Sequence, residues 1–455
     1  MITDDQTSVV RYRYRAYPTG PQRQALSQLF GCCRVAYNDT IALASSTYAI
    51  EKKYAGATAL QHRVLTVAKA TVERAWMNDV SGVALIQSVR DADLAYRNFF
   101  SSLKGTRRGK KVGLPTFKSR HDRNQSARFT SAARYKVVVT SERAATLALP
   151  KIGPVPFVLS RALPSESSSV TVIREPDGRY YVSFVVRVQN VAQPTTGRRC
   201  GIDPGLEHFA TICSVDIDTG EETVSQIETP KFLRARARAL RRSQQSHSRK
   251  RKGSNNREKA RVKVSVQHRK VREARLDHAH QMAHRVVSGH DIIALENTNV
   301  EGMMKTRRAK SLADQSLAQF SRLIVEKAQR RGVVVVKVGK FFPSTQQCSS
   351  CSSITGPKGQ SKLSVREWTC SECGVTHNRD VNAARNILVE GLRLLGLNEP
   401  PLVADGRSET LNASRASGRP ESEGGGGEVR PPASPVALAR EAGRIKKARS
   451  QCQAA

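Results

Sequence analysis

Two periods of hydrophobic and polar positions run along this chain and change places several times. Residues 9–17 alternate, with Tyr12 and Tyr14 on one side and Arg11, Arg13 and Arg15 on the other, the period of two expected of a half-buried strand. Pro18-Thr19-Gly20-Pro21 interrupts it. Apolar residues then recur at three and four, first in Leu26, Leu29, Phe30 and Cys33 and later in Val83, Leu85, Ile86 and Val89, so the stretch to about Leu103 reads as helical. Cys32 and Cys33 lie inside that pattern and are expected to be packing residues. After a basic loop at 104–123, β-branched runs return at 136–140, 169–173 and 179–186, the last two joined by a Pro176-Asp177-Gly178 turn. An early strand, a helical stretch and a later group of strands predict one β-domain with a helical insertion.

The pattern starts afresh near Arg198. Cys200-Gly201-Ile202-Asp203, residues 208–213 and a strand beyond Asp218-Thr219-Gly220 predict an antiparallel meander with an acid at the end of its first strand. Residues 231–275 read as helical, with a break near 250–256. Two runs apolar enough for burial on both faces, 291–296 and 333–338, flank a helix at 318–330, the order of a parallel crossover. A helix from 381 to about 395 follows. Beyond Glu399 the chain is rich in Gly, Pro and Ser, including Gly424 to Gly427, and is expected to be disordered. The fold class is α+β, with several domains, as 455 residues allow.

Charge narrows the function. The chain has 75 Lys+Arg against 39 Asp+Glu, a formal net of +36, and the last 58 residues contain nine basic and seven acidic side chains, so the excess belongs to the folded part. Such an excess implies a polyanionic partner, because each neutralised phosphate releases condensed counterion. Aromatics are only 5% of residues, which favours phosphate contacts over extensive base stacking. Residues 231–275 hold eighteen Lys/Arg opposed only by Glu258 and Glu273, and would repel one another without a polyanion. Arg234, Arg238, Arg241, Arg242, Arg249, Lys250 and Arg251 are therefore expected to bind nucleic acid, as are Lys110, Lys111, Lys118 and Arg120 in the earlier loop. His278, His280 and His284, at helical spacing, are expected to face nucleic acid or a neighbouring domain. Asp216, Asp218, Asp291 and Glu301 are expected to be surface acids. No apolar run approaches the ~20 residues of a membrane span, and the N-terminus lacks a signal-peptide core. Four of the nine cysteines form two tight pairs, which fits metal binding in a reducing cytosol. The expected location is cytoplasmic, on the nucleoid when DNA is bound.

Two constellations carry chemistry. Cys348-x2-Cys351 and, after eighteen residues, Cys370-x2-Cys373 make two knuckles whose four thiolates suit one structural zinc with no open position. Asp203, Glu296 and Asp380 end or begin three separate elements. Hard oxygen ligands suit Mg²⁺, and two such ions about 4 Å apart (Mn²⁺ could substitute) activate water and stabilise a leaving 3′ oxygen. Singly, each acid reads equally well as a strand-end acid in solvent or, for Asp380, a helix N-cap. Jointly, in a strongly cationic chain, they point to a metal-dependent nuclease or strand-transferase acting on nucleic acid, and there the residues alone stop.

The chain resembles the TnpB family of transposon-encoded nucleases, relatives of compact type V CRISPR effectors, over roughly residues 9–397. Arg13-Tyr14-Arg15-Ala16-Tyr17-Pro18-Thr19, Gly113-Leu114-Pro115-Thr116-Phe117-Lys118-Ser119-Arg120, Gly201-Ile202-Asp203-Pro204-Gly205 and Ile293-Ala294-Leu295-Glu296-Asn297 carry the resemblance. Most specific is Cys370-Ser371-Glu372-Cys373-Gly374 running into Asn378-Arg379-Asp380-Val381-Asn382-Ala383-Ala384-Arg385-Asn386. Two departures stand out: Ser352 where the family usually has Gly, which strains the first knuckle, and Asn378 where many members have Asp. The resemblance implies a β-barrel-like wedge domain (1–18 and 113–196), an inserted helical recognition domain (19–112) and an RNase H-like RuvC domain (197–340 and 378–397) with a basic helical insert (231–289). It further implies a zinc ribbon (341–377) and a tail (398–455). By the same resemblance the partners are a structured guide RNA and double-stranded target DNA with a short flanking motif, Arg379 touches nucleic acid, and the activity is RNA-guided DNA cleavage by two metal ions. A strand-transferring transposase, a guided binder without cleavage and a structural RNA-binding protein are the alternatives, and retention of all three acids favours cleavage.

Overall fold

The computed structural model describes residues 6–205, 207–297, 309, 315–358 and 364–397. The expected tail, 398–455, and Glu301 lie outside the described residues. Residues 9–187 form one compact unit, and 6–8 with 188–397 another. Among the described residues no helix is long and apolar enough to cross a membrane.

In the first unit, strand β1 (Thr7–Ala16) leads into α1 (Gly20–Glu51). Thr19 caps α1 in a capping box with Gln22, and Pro21 sits in the first turn, so the Pro-rich interruption is a helix start. After the short α2 (Ala57–Gln61) and irregular turns comes α3 (Gly82–Leu103). Cys32 and Cys33 are buried in α1, and burial pushes their thiols up to about 11 and about 12, as expected of packing residues.

Six more strands follow: β2 (Gln125–Thr130), β3 (Lys136–Ser141), β4 (Ala144–Leu149), β5 (Gly153–Val158), β6 (Ser167–Arg174) and β7 (Tyr180–Gln189). With β1 they form one sheet in the order β2-β6-β7-β1-β5-β4-β3. Among the described residues no pairing joins β2 to β3, the two ends of this order. Its core is aromatic, with Tyr14, Phe157 and Phe184 at ring-centroid separations of 5.5–5.9 Å. Strand β5 was not anticipated, because Pro154 and Pro156 argue against an interior strand. Both carbonyls point away from β4 and accept from Gln22 Nε2 (2.7 Å) and Tyr17 N (2.8 Å), on the side where β1 turns off into α1. The missing N–H groups fall on that same side, away from β4, so the β4–β5 ladder loses no bond.

The second unit is layered around a five-stranded sheet of β8 (Arg198–Asp203), β9 (His208–Asp216), β10 (Glu222–Glu228), β11 (Ile292–Glu296) and β12 (Val334–Val338), ordered β10-β9-β8-β11-β12. The first three are an antiparallel meander, and β11 runs parallel to both β8 and β12. On one face Ile202, Phe209, Ile293 and Leu295 pack against Ala279, Ala283 and Val286 of α5 (Asn255–Ser288) and Phe320 and Ile324 of α6 (Leu317–Arg331). On the other lies α7 (Arg379–Leu394), through Ala384, Ile387, Leu388 and Leu392. The expected insert at 231–289 thus divides: α4 (Phe232–Ser248) has no buried residue, whereas the last turns of α5 belong to the core. Asp291, expected at the surface, is half-buried and accepts from Thr196 N (3.0 Å) and Gly197 N (2.9 Å), anchoring the chain that enters β8.

Candidate active site and cysteine centre

Parallel pairing of β8 with β11 matches Leu295 to Ile202, so one residue on, Glu296 comes level with Asp203. Both acids leave the carboxyl ends of adjacent strands, the end at which open α/β sheets place their ligands. Asp380 stands in the first turn of α7, which crosses β8 and β11 from above. Two glycines permit that crossing. A Cβ on Gly201 of β8 would lie 2.2 Å from the Ala384 carbonyl oxygen and 2.6 Å from Leu388 N. A Cβ on Gly391 of α7 would lie 2.4 Å from Ala294 Cβ of β11. Backbone therefore meets backbone here, and the helix bearing Asp380 is held against the strands bearing the other two acids.

Asp203 is 9% exposed, and its carboxyl is raised well above the usual carboxylate range, by burial first and then by the charges of Glu296 and Asp380, with Arg379 opposing. The three acids thus share one electrostatic environment. Asn378, which departs from the family's Asp, caps α7: its Oδ1 accepts from Asp380 N and Val381 N, both 3.2 Å. Arg366 reaches the site from the cysteine-rich segment, with one nitrogen 3.4 Å from Asp380 Oδ2 and another 2.5 Å from Glu207 Oε2.

The four cysteines come together as expected, and their sulfurs all lie within 4.8 Å of one another. Among the described residues they are the one such group of three or more His, Cys, Asp or Glu, so the three carboxylates are spread more widely. The Cys348–Cys373 and Cys351–Cys370 sulfurs are 3.6 Å apart, close to the ~3.8 Å edge of a tetrahedron with Zn–S of about 2.3 Å. The knuckles are conformational twins. Ser352 N bonds to Cys348 O and Gly374 N to Cys370 O, each at 2.9 Å, with φ of 65° at Ser352 and 73° at Gly374. The strain expected at Ser352 is thus present as a left-handed serine. Thr355 Oγ1 donates to Cys370 Sγ at 3.2 Å and, as the largest cause, holds that thiol down near 6, in favour of thiolate. Buried His377 sits 3.0 Å from Cys348 Sγ.

Asn382 and Asn386, one turn apart on α7, were quoted in the motif without a role. Both side-chain amides donate to the carbonyls of Ser344 (3.3 and 2.8 Å) and Gln347 (2.8 and 2.7 Å). Asn382 Oδ1 also accepts from Ser349 N at 2.9 Å. The first knuckle is thereby bolted to the helix that begins with Asp380. Polar residues at helical spacing on a buried face were the available signal.

The expected nucleic-acid residues divide. Arg234, Arg238, Arg241, Arg242, Arg249, Lys250 and Arg251 are all exposed on or just after α4, and Lys110, Lys111 and Arg120 are exposed in the earlier loop. Lys118 lies with its ammonium 3.9 Å from the Tyr37 ring, and Asn38 clamps its backbone by two bonds of 2.8 and 3.0 Å, so this part of the loop is docked on α1. Arg379, expected to touch nucleic acid, lies in a different setting from the exposed arginines. It is 7% exposed, and its charge acts on Asp203 instead of facing solvent. His278 packs edge-on against Phe209 at 4.8 Å.

A mixed α/β unit with three acids at one end of its sheet, a four-cysteine cluster and an exposed arginine helix combines donor groups suited to metal with a surface suited to nucleic acid. Comparison with known proteins makes this more specific. A family model described as "Probable transposase" matches residues 183–307, one described as "Cas12f1-like, TNB domain" matches 318–387, and one described as "Helix-turn-helix domain" matches 10–53. The last of these spans strand β1 and the single helix α1. A Streptomyces pristinaespiralis protein named "Putative RNA-guided DNA endonuclease" is 34% identical over 84% of this chain and 89% of its own length. An Escherichia coli K12 protein named "Putative RNA-guided DNA endonuclease InsQ" is 27% identical over 87% of this chain and 95% of its own. Among solved structures, a Cas12f1–sgRNA–target DNA complex aligns over 84% of this chain and 99% of that one, at 13% identity and a TM-score of 0.48. The chain belongs to the TnpB family of transposon-associated RNA-guided DNA endonucleases, related to type V effectors.

Proposed function

We propose that this chain cuts DNA chosen by a bound guide RNA, at a RuvC-type site where Asp203, Glu296 and Asp380 hold Mg²⁺. The observation that carries the reading is the convergence of Asp203 and Glu296 on adjacent parallel strands beneath the helix that opens with Asp380. The site fits hard cations: Glu296 and Asp380 both raise Asp203, and the opposing charge of Arg379 does not offset burial and these two carboxylates. When bound, such ions supply an activated water and stabilise the leaving 3′ oxygen. The chain's own part is to hold the acids in register, through Gly201, Gly391 and the Asn378 cap, and to keep Asp203 out of bulk water.

The four thiolates are assigned to one structural zinc, since all positions of the tetrahedron are filled. The exposed arginines of α4 contact phosphates. Base pairing with the guide then reads sequence, while the protein reads a short flanking motif and backbone shape. The boundaries 1–18 with 113–196, 19–112, 197–340 with 378–397, and 341–377 are retained as wedge, recognition, RuvC and zinc-ribbon domains, within a bacterial cytoplasm.

The test is to purify the chain from cells carrying its native flanking DNA, sequence any co-purifying RNA, and challenge a matching duplex with Mg²⁺. Asp203→Ala is expected to keep the RNA and lose cleavage. Loss of RNA binding in that variant, or heterogeneous cellular RNA with the unaltered chain, would sink the proposal. The description "Probable transposase" favours strand transfer as a second reading, because the same acids serve it. Joined rather than cut products would support it.

A further inference from the structure

Between β12 and the first knuckle lies a turn that holds an aromatic ring in water. Phe342 N bonds to Gly339 O at 3.0 Å, closing the four residues from Gly339 to Phe342. Phe342 turns inward, packing against the cluster of Ala294, Val338 and Ile387. Phe341 turns outward and is 88% exposed, the most exposed aromatic side chain among the described residues, with the Lys340 ammonium 5.4 Å from its ring centroid. The turn is rigid on both sides. Before it, β12 pairs along its length with β11. After it, buried Ser344 has its carbonyl gripped by Asn382 and Asn386, and its N–H bonded to Phe342 O at 2.9 Å.

Position gives this ring a use. Val338 ends β12 opposite Glu296, and β8, β11 and β12 run parallel, so Phe341 leaves the same end of the sheet as Asp203 and Glu296, three residues beyond Glu296's strand partner. A ring fixed there, flanked by an ammonium and beside a site for phosphodiesters, has the features of a platform for one base of an unpaired strand.

We propose that Phe341 stacks on an unpaired nucleobase of the DNA strand led to Asp203, Glu296 and Asp380, with Lys340 on the adjoining phosphate. This rests on the nuclease reading above. The stacked base sets which phosphate reaches the acids, making Phe341 a positioning residue for the cut.

The experiment uses the full chain loaded with its guide RNA. Target duplexes carry 2-aminopurine at successive positions of the cleavage tract, and an Asp203→Ala background keeps the DNA intact for fluorescence. Quenching beyond that of the same DNA without protein is expected at one position, lost in Phe341→Ala and Phe341→Leu and kept in Phe341→Trp. In the cleaving chain, Phe341→Ala and Phe341→Leu should cut about ten-fold more slowly at limiting DNA, with end positions spread over neighbouring phosphates. Exposure of the ring keeps these variants folded, with unaltered unfolding midpoints. If Phe341→Leu quenches and cuts at the same phosphate and rate as the unaltered chain, the platform is refuted while the nuclease reading stands. If the unaltered chain cuts nothing, both fall.

Discussion

Gly201→Ala is the most informative substitution, because one methyl group separates the scaffold from the chemistry. The added Cβ would lie 2.2 Å from the Ala384 carbonyl, 2.6 Å from Leu388 N and 2.8 Å from Leu388 Cβ, and two of these three are backbone atoms that no rotamer change relieves. Carbon needs roughly 3.5 Å from such neighbours, so α7 must retreat from β8 by about 1 Å. Overpacking of this kind costs about 1–3 kcal/mol, and at about 2–4 °C per kcal/mol for a unit of this size the unfolding midpoint falls by several degrees. Asp380 sits one turn before Ala384 and rides with the helix, away from Asp203 and Glu296. A misplacement of about 1 Å is worth roughly 10²-fold in rate. The variant should therefore bind guide RNA normally, retain zinc, melt slightly earlier and cut target DNA about a hundred-fold more slowly at saturating Mg²⁺. Gly31→Ala is the control, since nothing lies within 4 Å of its Cβ in α1, and it should melt no lower and cut normally. Full-rate cleavage by Gly201→Ala would refute the claim that this crossing sets the acid geometry.

Three further outcomes follow from the site. Ser352→Gly removes a left-handed serine (about 1–2 kcal/mol) against glycine's larger unfolded-state entropy (about 0.5–1 kcal/mol). Zinc retention in chelator competition should thus improve about two-fold, and looser zinc would contradict the strained-knuckle reading. Asn386→Ala strips one amide from the Ser344 and Gln347 carbonyls; at about 1–3 kcal/mol for such a loss the midpoint should drop, cleavage should slow and zinc content stay at one per chain, whereas an unchanged rate would mean the bolt does not position α7. Asp203→Asn should raise the metal-free midpoint at neutral pH. A carboxyl raised in the folded state contributes stability fully present below its unfolded pKa near 4, and that stability is lost as pH rises through the folded value. Midpoint against pH should accordingly fall less steeply above pH 4 in Asp203→Asn, and identical curves would show that burial and the neighbouring acids do not raise Asp203.

What could be read from the residues was periodic or compositional. The alternation of Tyr12 and Tyr14 with arginines placed β1, the two apolar runs placed β11 and β12, the paired cysteines placed the four-sulfur cluster, and the resemblance, with Gly usual after the first cysteine pair, implied the strain seen at Ser352. What could not be read depends on which surfaces meet. Pro154 and Pro156 forbid a strand only if both neighbours need their N–H groups, and one neighbour ends there. Gly201 looks like any strand glycine until α7 is laid over it, and Asn382 and Asn386 look like surface amides until the knuckle closes on them. The resemblance put Arg379 against nucleic acid, and only the packed structure shows it buried where its charge acts on Asp203.

Arg379 shows why net charge and local charge must be kept apart. The chain has a formal charge of +36, yet among the described residues the charges found at the site are Asp203, Glu296, Asp380 and Glu207 against Arg379 and Arg366, a local surplus of carboxylates. The exposed cations of α4 act through solvent and salt, which screen beyond about 8–10 Å, so they cannot neutralise this surplus. What remains is a proton on Asp203 or a bound cation, and the burial that favours the proton also strengthens attraction to a divalent ion. The exposed arginines are instead placed for a partner whose charge is spread along a backbone and whose binding weakens with salt. On the proposed reading the protein separates its electrostatics into a screened surface for nucleic acid and an unscreened pocket for metal. Substitutions in one should leave the binding function of the other intact, which is why an acid-site variant that still binds RNA is the discriminating case.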